Sequence, residues 1–138
     1  MNSARRVVVD TGILVSAALR PESVPALALE KCLLEYDVCV SAATLAELHT
    51  VLSRPKFDPY LPLALRLDFV EGYRQRAYLV EVTQTVSDCV DPGDNKFLAL
   101  ALAAEAELIV ASAPHLTTMH PRRGIAIMPP AVFLLGRF

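Results

Sequence analysis

The chain has 138 residues, a length typical of one domain built around one hydrophobic core. Hydrophobic residues make up 54% and charged residues 20%, which predicts a packed interior and excludes a disordered chain. The formal net charge of −2 lacks the basic excess typical of nucleic-acid-binding proteins, although a bound divalent cation offsets acidity locally.

Short apolar runs alternate with longer segments of helical spacing along the chain. The first run, Val7, Val8 and Val9, is β-branched and typical of a strand buried on both faces. In chain order, the predicted elements are strand 7–9, helix 13–19, helix 24–36, strand 37–40, helix 44–53, helix 61–77, strand 78–82, helix 95–106, strand 108–110, strand 125–128 and a helical turn at 131–135. This alternation predicts an α/β fold, a three-layer α/β/α sandwich around a short, mostly parallel sheet, formed by residues 1–138 as a single domain.

Cysteine content and hydropathy indicate the compartment and the assembly state. Cys32, Cys39 and Cys89 lack metal-ligand spacing, and their odd number argues against a disulfide framework, so we expect reduced core residues. The apolar run after the basic N-terminus is too short for a secretory signal, which predicts a cytoplasmic protein. No apolar run approaches the roughly 18–20 residues that a membrane span needs, so we expect no membrane contact. The mean hydropathy of +0.40 instead favours a buried interface between subunits.

Acidic residues follow three of the predicted strands. Asp10 ends the first strand, Glu47 lies in the helix after strand 37–40, and Asp94 opens the helix that leads to strand 108–110. Because ligands bind beyond the carboxyl ends of the strands in open parallel sheets, we expect these carboxylates at one edge. Crowded carboxylates repel one another, and a hard divalent cation relieves that repulsion. The pattern therefore predicts metal-assisted chemistry on a phosphate.

Each acidic residue also has a purely structural interpretation. Asp10 suits the cap of the helix that follows it. The segment from Thr44 to Glu47 matches the S/T-x-x-E capping box, in which the glutamate satisfies backbone donors. Asp91 suits a helix cap as well, which places Asp94 in the first turn, where the helix dipole favours an anion. The residue pattern alone leaves both interpretations open.

Three segments, in the right order, resemble the PIN-domain family: VVVDTGILVSAAL, LAELHTVLSRPKF and DPGDNKFLALALAAEAELIVAS. The subset that fits best is the toxin components of bacterial toxin–antitoxin pairs, similar to VapC-type toxins. The resemblance covers nearly the whole chain and implies an α/β/α sandwich with a short parallel sheet. It also implies a Mg²⁺- or Mn²⁺-dependent ribonuclease, often a homodimer, that is inhibited by a co-expressed antitoxin.

The resemblance also assigns roles to individual residues. Asp10, Glu47 and Asp94 match the first three acidic positions, so it implies that they hold the metal and carry catalysis. Thr11 matches the hydroxyl residue after the first aspartate, which orients that carboxylate. Ser16 fits a position that faces the pocket.

Two positions depart from the family pattern. Gly12 stands where the family usually has asparagine, and Ala113 stands where a fourth acidic residue is expected. His115 resembles a common variant at the motif's later position, and the resemblance implies that it and Ser112 support the pocket. A surface or capping histidine is the alternative for His115. Asp91 is expected either to cap a helix or to act from outside the ligand shell. We therefore expect a three-carboxylate site that binds metal more weakly than a four-acid relative.

An RNA substrate needs positive charge around the pocket. Arg54 and Lys56 follow the third predicted helix, Lys96 lies just beyond the third acidic residue, and Arg122 and Arg123 lie in a late loop. These side chains are candidates for phosphate contacts, with solvated surface charge as the alternative for each. No aromatic cluster predicts a base-stacking platform, so the sequence does not define an RNA preference.

Two functions remain in competition at this point. The first is a metal-dependent endoribonuclease that acts as the toxin of a toxin–antitoxin pair, as the intact set of Asp10, Glu47 and Asp94 favours. The second is a PIN-like binding module with a weakened site that engages an antitoxin or itself, as Gly12 and Ala113 favour. A phosphohydrolase of the haloacid-dehalogenase type needs Asp-x-Asp after strand one, and the second aspartate is missing here.

Overall fold

A five-stranded parallel sheet organises the computed structural model, which describes residues 5–136. The strands lie in the order β3-β2-β1-β4-β5, with β1 in the centre. Their bounds are β1 Arg6–Val9, β2 Asp37–Val40, β3 Tyr78–Leu79, β4 Leu108–Val110 and β5 Ala126–Met128. Every pairing between neighbouring strands is parallel, which confirms the predicted sheet.

Helices cover both faces of the sheet, as the three-layer prediction requires. They are α1 Thr11–Leu19, α2 Val24–Glu35, α3 Ala42–Leu52, α4 Leu63–Arg76, α5 Asn95–Ala104, α6 Pro114–Thr117 and α7 Pro130–Leu135, with 3-10 turns at Pro55–Phe57 and Pro92–Asp94. Because side chains alternate along a strand, Val7 and Val9 pack among α1, α2, α3, α4 and α7, whereas Val8 packs against α5 and α6. Both faces are buried, which explains the unbroken valine run.

No single helix within residues 5–136 has the length and apolar composition needed to cross a membrane. Helices α1 and α2, bent by 110° at the break between them, pass that test only as a pair.

Several predicted boundaries are wrong for identifiable reasons. Strand β3 ends at Leu79 rather than at residue 82, because its partner β2 ends and the last ladder bond runs from Val80 N to Val40 O. Helix α5 ends at Ala104 rather than at residue 106, because Glu105 adopts a left-handed conformation with φ 54°. Helix α6 was not predicted, since it is a single short turn that begins at a proline.

Helix α3 begins two residues earlier than predicted because a different residue caps it. The Ser41 side chain accepts a hydrogen bond from Thr44 N, and the Thr44 hydroxyl accepts one from Ser41 N. This reciprocal pair is the capping box, so the predicted box from Thr44 to Glu47 is wrong. Its failure leaves the Glu47 carboxylate available for other partners.

The register of the sheet sets the position of the first acidic residue. Val9 pairs with Val110, and Val110 pairs with Met128, so three strands end level with one another. Asp10 continues the ladder with a bond from its N–H to Val110 O at 3.0 Å. Asp10 therefore lies at the carboxyl edge of the sheet, where the sequence pattern predicted it.

A completely buried arginine holds the loop between α3 and α4. The guanidinium of Arg66 donates to Leu61 O at 2.8 Å, Leu52 O at 2.6 Å and Arg54 O at 3.0 Å, and it also binds the Asp58 carboxylate. Since these carbonyls include the end of α3, the one side chain satisfies backbone acceptors that burial would otherwise leave unpaired.

We expect Arg66→Met to lower the free energy of unfolding by roughly 2–4 kcal/mol, because three carbonyls lose their donor. Urea denaturation measures this change. Arg74→Met is the matched control, since the exposed Arg74 pairs with Glu71 on the surface of α4 and its loss should change the free energy of unfolding much less. Equal losses in the two variants would show that Arg66 does not hold this loop.

Candidate metal site at the carboxyl edge of the sheet

The Asp10 carboxylate is buried and bound to the backbone on both sides. Its exposed fraction is 3%, and Oδ1 accepts a hydrogen bond from Ile13 N at 3.0 Å, so Asp10 does cap α1. Oδ2 accepts from Ser112 N at 3.0 Å and from Ala113 N at 3.4 Å. Burial raises the pKa of the Asp10 carboxyl, the three N–H groups oppose that rise, and the charge of Asp94 adds to it. Capping and a pocket position are thus compatible here.

Glu47 projects from α3 towards two partners on other elements. Its Oε1 accepts a hydrogen bond from Lys96 Nζ at 2.6 Å, and its Oε2 accepts one from the Thr11 hydroxyl at 2.5 Å. Thr11, which was expected to orient Asp10, thus contacts Glu47 in this structure. These contacts tie α3 to the starts of α1 and α5.

Asp94 is the last residue of the 3-10 turn and the N-cap residue of α5, and its side chain makes no capping hydrogen bond. Asp91 caps the turn instead, by accepting from Gly93 N at 2.9 Å. The pKa of Asp94 is raised by burial and by the charges of Asp91 and Glu47, while His115 and Lys96 oppose the rise. The capping interpretation therefore applies to Asp91, whereas the carboxylate of Asp94 is repelled by the neighbouring charges of Asp91 and Glu47.

The three carboxylates share one region without forming a closed cage. Asp94 acts on the pKa of Asp10, and Glu47 acts on the pKa of Asp94. Within residues 5–136, no three His, Cys, Asp or Glu side chains stand close enough to hold a metal ion. The oxygens of Asp10 face backbone N–H groups, and Lys96 binds Glu47. The donor chemistry nevertheless fits a hard divalent cation, because carboxylate oxygens whose charges raise a neighbour's pKa are the ligands such a cation relieves.

The two departures from the family pattern meet at one point of this edge. A Cβ atom added to Gly12 would lie 2.4 Å from Ser112 Oγ and 3.6 Å from Asp10 Oδ1. Ser112 therefore occupies the space that a larger residue at position 12 needs. Ala113 follows directly and is the N-cap residue of α6, where it provides no side-chain cap. The residues at 12, 112 and 113 thus form one small, uncharged wall beside Asp10.

The remaining predicted residues lie at different distances from this edge. Ser16 is half-buried within α1, and its backbone carbonyl accepts from Arg20 N. His115 lies in α6, close enough to Asp94 to act on its pKa. Lys56 stacks on Phe57 at 5.1 Å in the loop held by the buried arginine. The supporting roles of Ser16 and His115 and the RNA contact of Lys56 therefore stay predictions.

Arg122 and Arg123 have an intramolecular partner that sequence analysis missed. Arg122 Nε lies 2.8 Å from Asp88 Oδ2, and Arg123 Nη2 lies 2.7 Å from Asp88 Oδ1. Both guanidinium groups are thereby committed to one carboxylate, which joins the 80–90 segment to the loop before β5. No sequence signal identified this pair, because the residues lie 34 and 35 positions apart.

The fold and the site together define a class of protein. It is an α/β domain with electrostatically coupled carboxylates at the carboxyl edge of its parallel sheet. The family model described as PIN domain matches residues 6–112. The chain therefore belongs to the PIN-domain family, as its motifs indicated. No curated protein sequence matches the chain.

Solved structures with this fold include complexes of VapC proteins. The structure of VapBC2 from Rickettsia felis bound to a promoter DNA fragment matches with a TM-score of 0.63 and 13% identity, over 90% of this chain and 98% of that one. DNA-bound VapBC from Salmonella typhimurium has a TM-score of 0.62 and 16% identity, over 91% and 98%. VapC20 from Mycobacterium tuberculosis, described as a sarcin-ricin loop cleaving toxin, has a TM-score of 0.52 and 11% identity, over 78% and 89%. Likeness at this level of identity confirms the predicted fold.

Asp94→Asn tests the crowding of charge at this edge. The pKa values of Asp10 and Asp94 are both raised in the folded state, so the folded protein keeps protons that the unfolded chain has already released. Their contribution to stability therefore falls as the pH rises from about 4 through these raised values. We expect a smaller fall in Asp94→Asn, which lacks one of these groups and one charge acting on Asp10.

The measurement is the free energy of unfolding from about pH 4 to about pH 8 in the presence of chelator. Asp68→Asn, a change at an exposed aspartate on α4, is the control and should follow the wild-type profile. An Asp94→Asn profile identical to that of the wild type would contradict the crowding.

Proposed function

We propose that this chain is a Mg²⁺- or Mn²⁺-dependent endoribonuclease that hydrolyses RNA phosphodiesters as the toxin of a toxin–antitoxin pair. The observation that supports this function best is the electrostatic coupling of Asp10, Glu47 and Asp94 at the carboxyl edge of a PIN-domain sheet. A cognate antitoxin is proposed because structures of the same fold include VapBC complexes.

Each residue of the pocket has a different role in the proposed reaction. When bound, a divalent cation supplies positive charge to the scissile phosphate and makes water more acidic. Asp10 provides a rigid ligand, since three backbone N–H groups fix its carboxylate. Glu47 provides a second ligand from α3. Asp94, whose pKa is raised by burial and neighbouring carboxylates, accepts the proton of the attacking water. Lys96 and His115 supply positive charge near Asp94 for the phosphate.

A cytoplasmic location and a homodimer belong to the same proposal. Exposed apolar side chains on α2 support an interface, because Val24 is 44%, Leu27 48% and Leu34 71% exposed.

A binding module that engages an antitoxin or a second copy is the other candidate function. The observation that favours it is the pairing of Glu47 with Lys96 and Thr11, which leaves the described carboxylates without a ready cage. Such a protein keeps the fold and the partner while the chemistry is lost.

Cleavage of RNA separates these two functions. We expect the purified protein to cleave RNA with Mn²⁺ or Mg²⁺ but not with chelator, and we expect Glu47→Gln and Asp94→Asn each to slow cleavage by about 100-fold or more. The assay uses single-stranded and structured RNA, and Arg74→Gln, far from the pocket, serves as the active control. Activity that persists in chelator or survives both substitutions would exclude this site. No cleavage of any RNA, together with no Mn²⁺ binding in calorimetry, would favour the binding module.

Ala113→Asp tests whether the missing fourth acid limits the site. Its backbone N–H lies 3.4 Å from Asp10 Oδ2, so an aspartate here adds a carboxylate beside the pocket and also caps α6. We expect Mn²⁺ affinity in calorimetry to rise roughly tenfold, since affinity follows ligand charge. Ala113→Asn is the control, because it caps α6 without adding charge. Equal affinities in the two variants would mean that position 113 does not reach the cation.

A further inference from the structure

We propose that the Lys96 ammonium occupies the cation-binding face of Glu47, so that a divalent cation binds only when Lys96 leaves this carboxylate. This inference rests on the proposed function and gives Lys96 a role beyond general attraction of RNA. Lys96 acts through Glu47 and is therefore a positioning residue.

The geometry that supports it is a direct contact between the ammonium of Lys96 and the carboxylate of Glu47. Lys96 Nζ lies 2.6 Å from Glu47 Oε1, and the two side chains are 27% and 28% exposed, so this pair is partly shielded from water. The same ammonium donates to Gly93 O at 2.8 Å, one residue before Asp94. One ammonium thus binds the Glu47 carboxylate and the backbone one residue before Asp94.

A divalent cation and this ammonium compete for the same oxygen. Mg²⁺ and Mn²⁺ bind carboxylate oxygens directly, and an ammonium held at hydrogen-bond distance from that oxygen blocks the approach by its volume and its charge. Thr11 holds the other oxygen of Glu47, which fixes the carboxylate from the α1 side. Because Glu47 is held in this way, Lys96 is the partner that must move.

The fold leaves room for that movement. A cavity of about 750 Å³ adjoins Lys96 and is bordered by the start of α3, the 79–86 segment and the first turns of α5. Lys96 itself lines this cavity, together with Asn95 and Ala99. A flexible four-carbon side chain can therefore turn from Glu47 into open space without a change in the backbone.

Under this proposal, Glu47 binds either the Lys96 ammonium or the divalent cation, but not both at once. Without metal, the ion pair offsets part of the negative charge and stabilises the fold. With metal, the released ammonium lies in the cavity that Lys96 lines. Metal binding and the position of Lys96 are thereby linked by a coupling free energy.

Lys96→Gln separates this role from simple charge attraction. We expect Lys96→Gln to bind Mn²⁺ roughly tenfold more tightly than the wild type in calorimetry, because no ammonium has to leave. In chelator, the same variant should unfold at a lower temperature, since Glu47 loses its partner. Lys96→Arg keeps an ion pair and should bind Mn²⁺ as the wild type does. Arg74→Gln, which removes a distant ion pair, should leave Mn²⁺ affinity unchanged.

The outcomes separate failure of this inference from failure of the proposed function. If the wild type binds Mn²⁺ and cleaves RNA while Lys96→Gln binds Mn²⁺ equally or more weakly, the competition is excluded and the ribonuclease stands. If neither protein binds Mn²⁺ in calorimetry, the metal site and the competition are both excluded. Tighter binding by Lys96→Gln, with slower RNA cleavage, supports both.

Discussion

The buried Asp10 carboxylate connects three parts of the fold. One oxygen caps α1 through Ile13 N, and the other accepts N–H groups from Ser112 and Ala113, which follow β4. The end of the central strand, the first helix and the turn after β4 are therefore fixed relative to one another. Burial makes the carboxylate costly to ionise, and the three donors compensate for part of that cost. A rigid acidic edge results, and the site is built upon it.

Around that edge, the negative charges of Asp94 and Glu47 lie near the positive charge of Lys96. Asp94 makes no capping bond and lies under the repulsion of Asp91 and Glu47, so its position favours chemistry over stability. Lys96 offsets part of this charge from α5. Function and stability thus make opposite demands on the same residues, as is common at catalytic sites.

The alternation of strands and helices and the edge position of the acids follow from local patterns, whereas the contacts among the acids do not. The valine run at 7–9 predicts a doubly buried strand, and ligand sites beyond strand ends predict the place of Asp10. The capping box at Thr44 was wrong because Ser41, three residues earlier, satisfies the same motif with Thr44 at its far end. The Lys96–Glu47 pair spans 49 positions and leaves no periodic signal. The family motif placed Glu47 in the site, but its present partner depends on tertiary packing.

A crystal structure of the protein grown with Mn²⁺, with anomalous scattering used to locate the ion, tests the central claim most directly. We expect a Mn²⁺ peak in contact with the carboxylates of Asp10, Glu47 and Asp94, with the Lys96 ammonium turned away from Glu47. Mn²⁺ bound elsewhere, or no peak at this edge while Lys96 still holds Glu47, would contradict it.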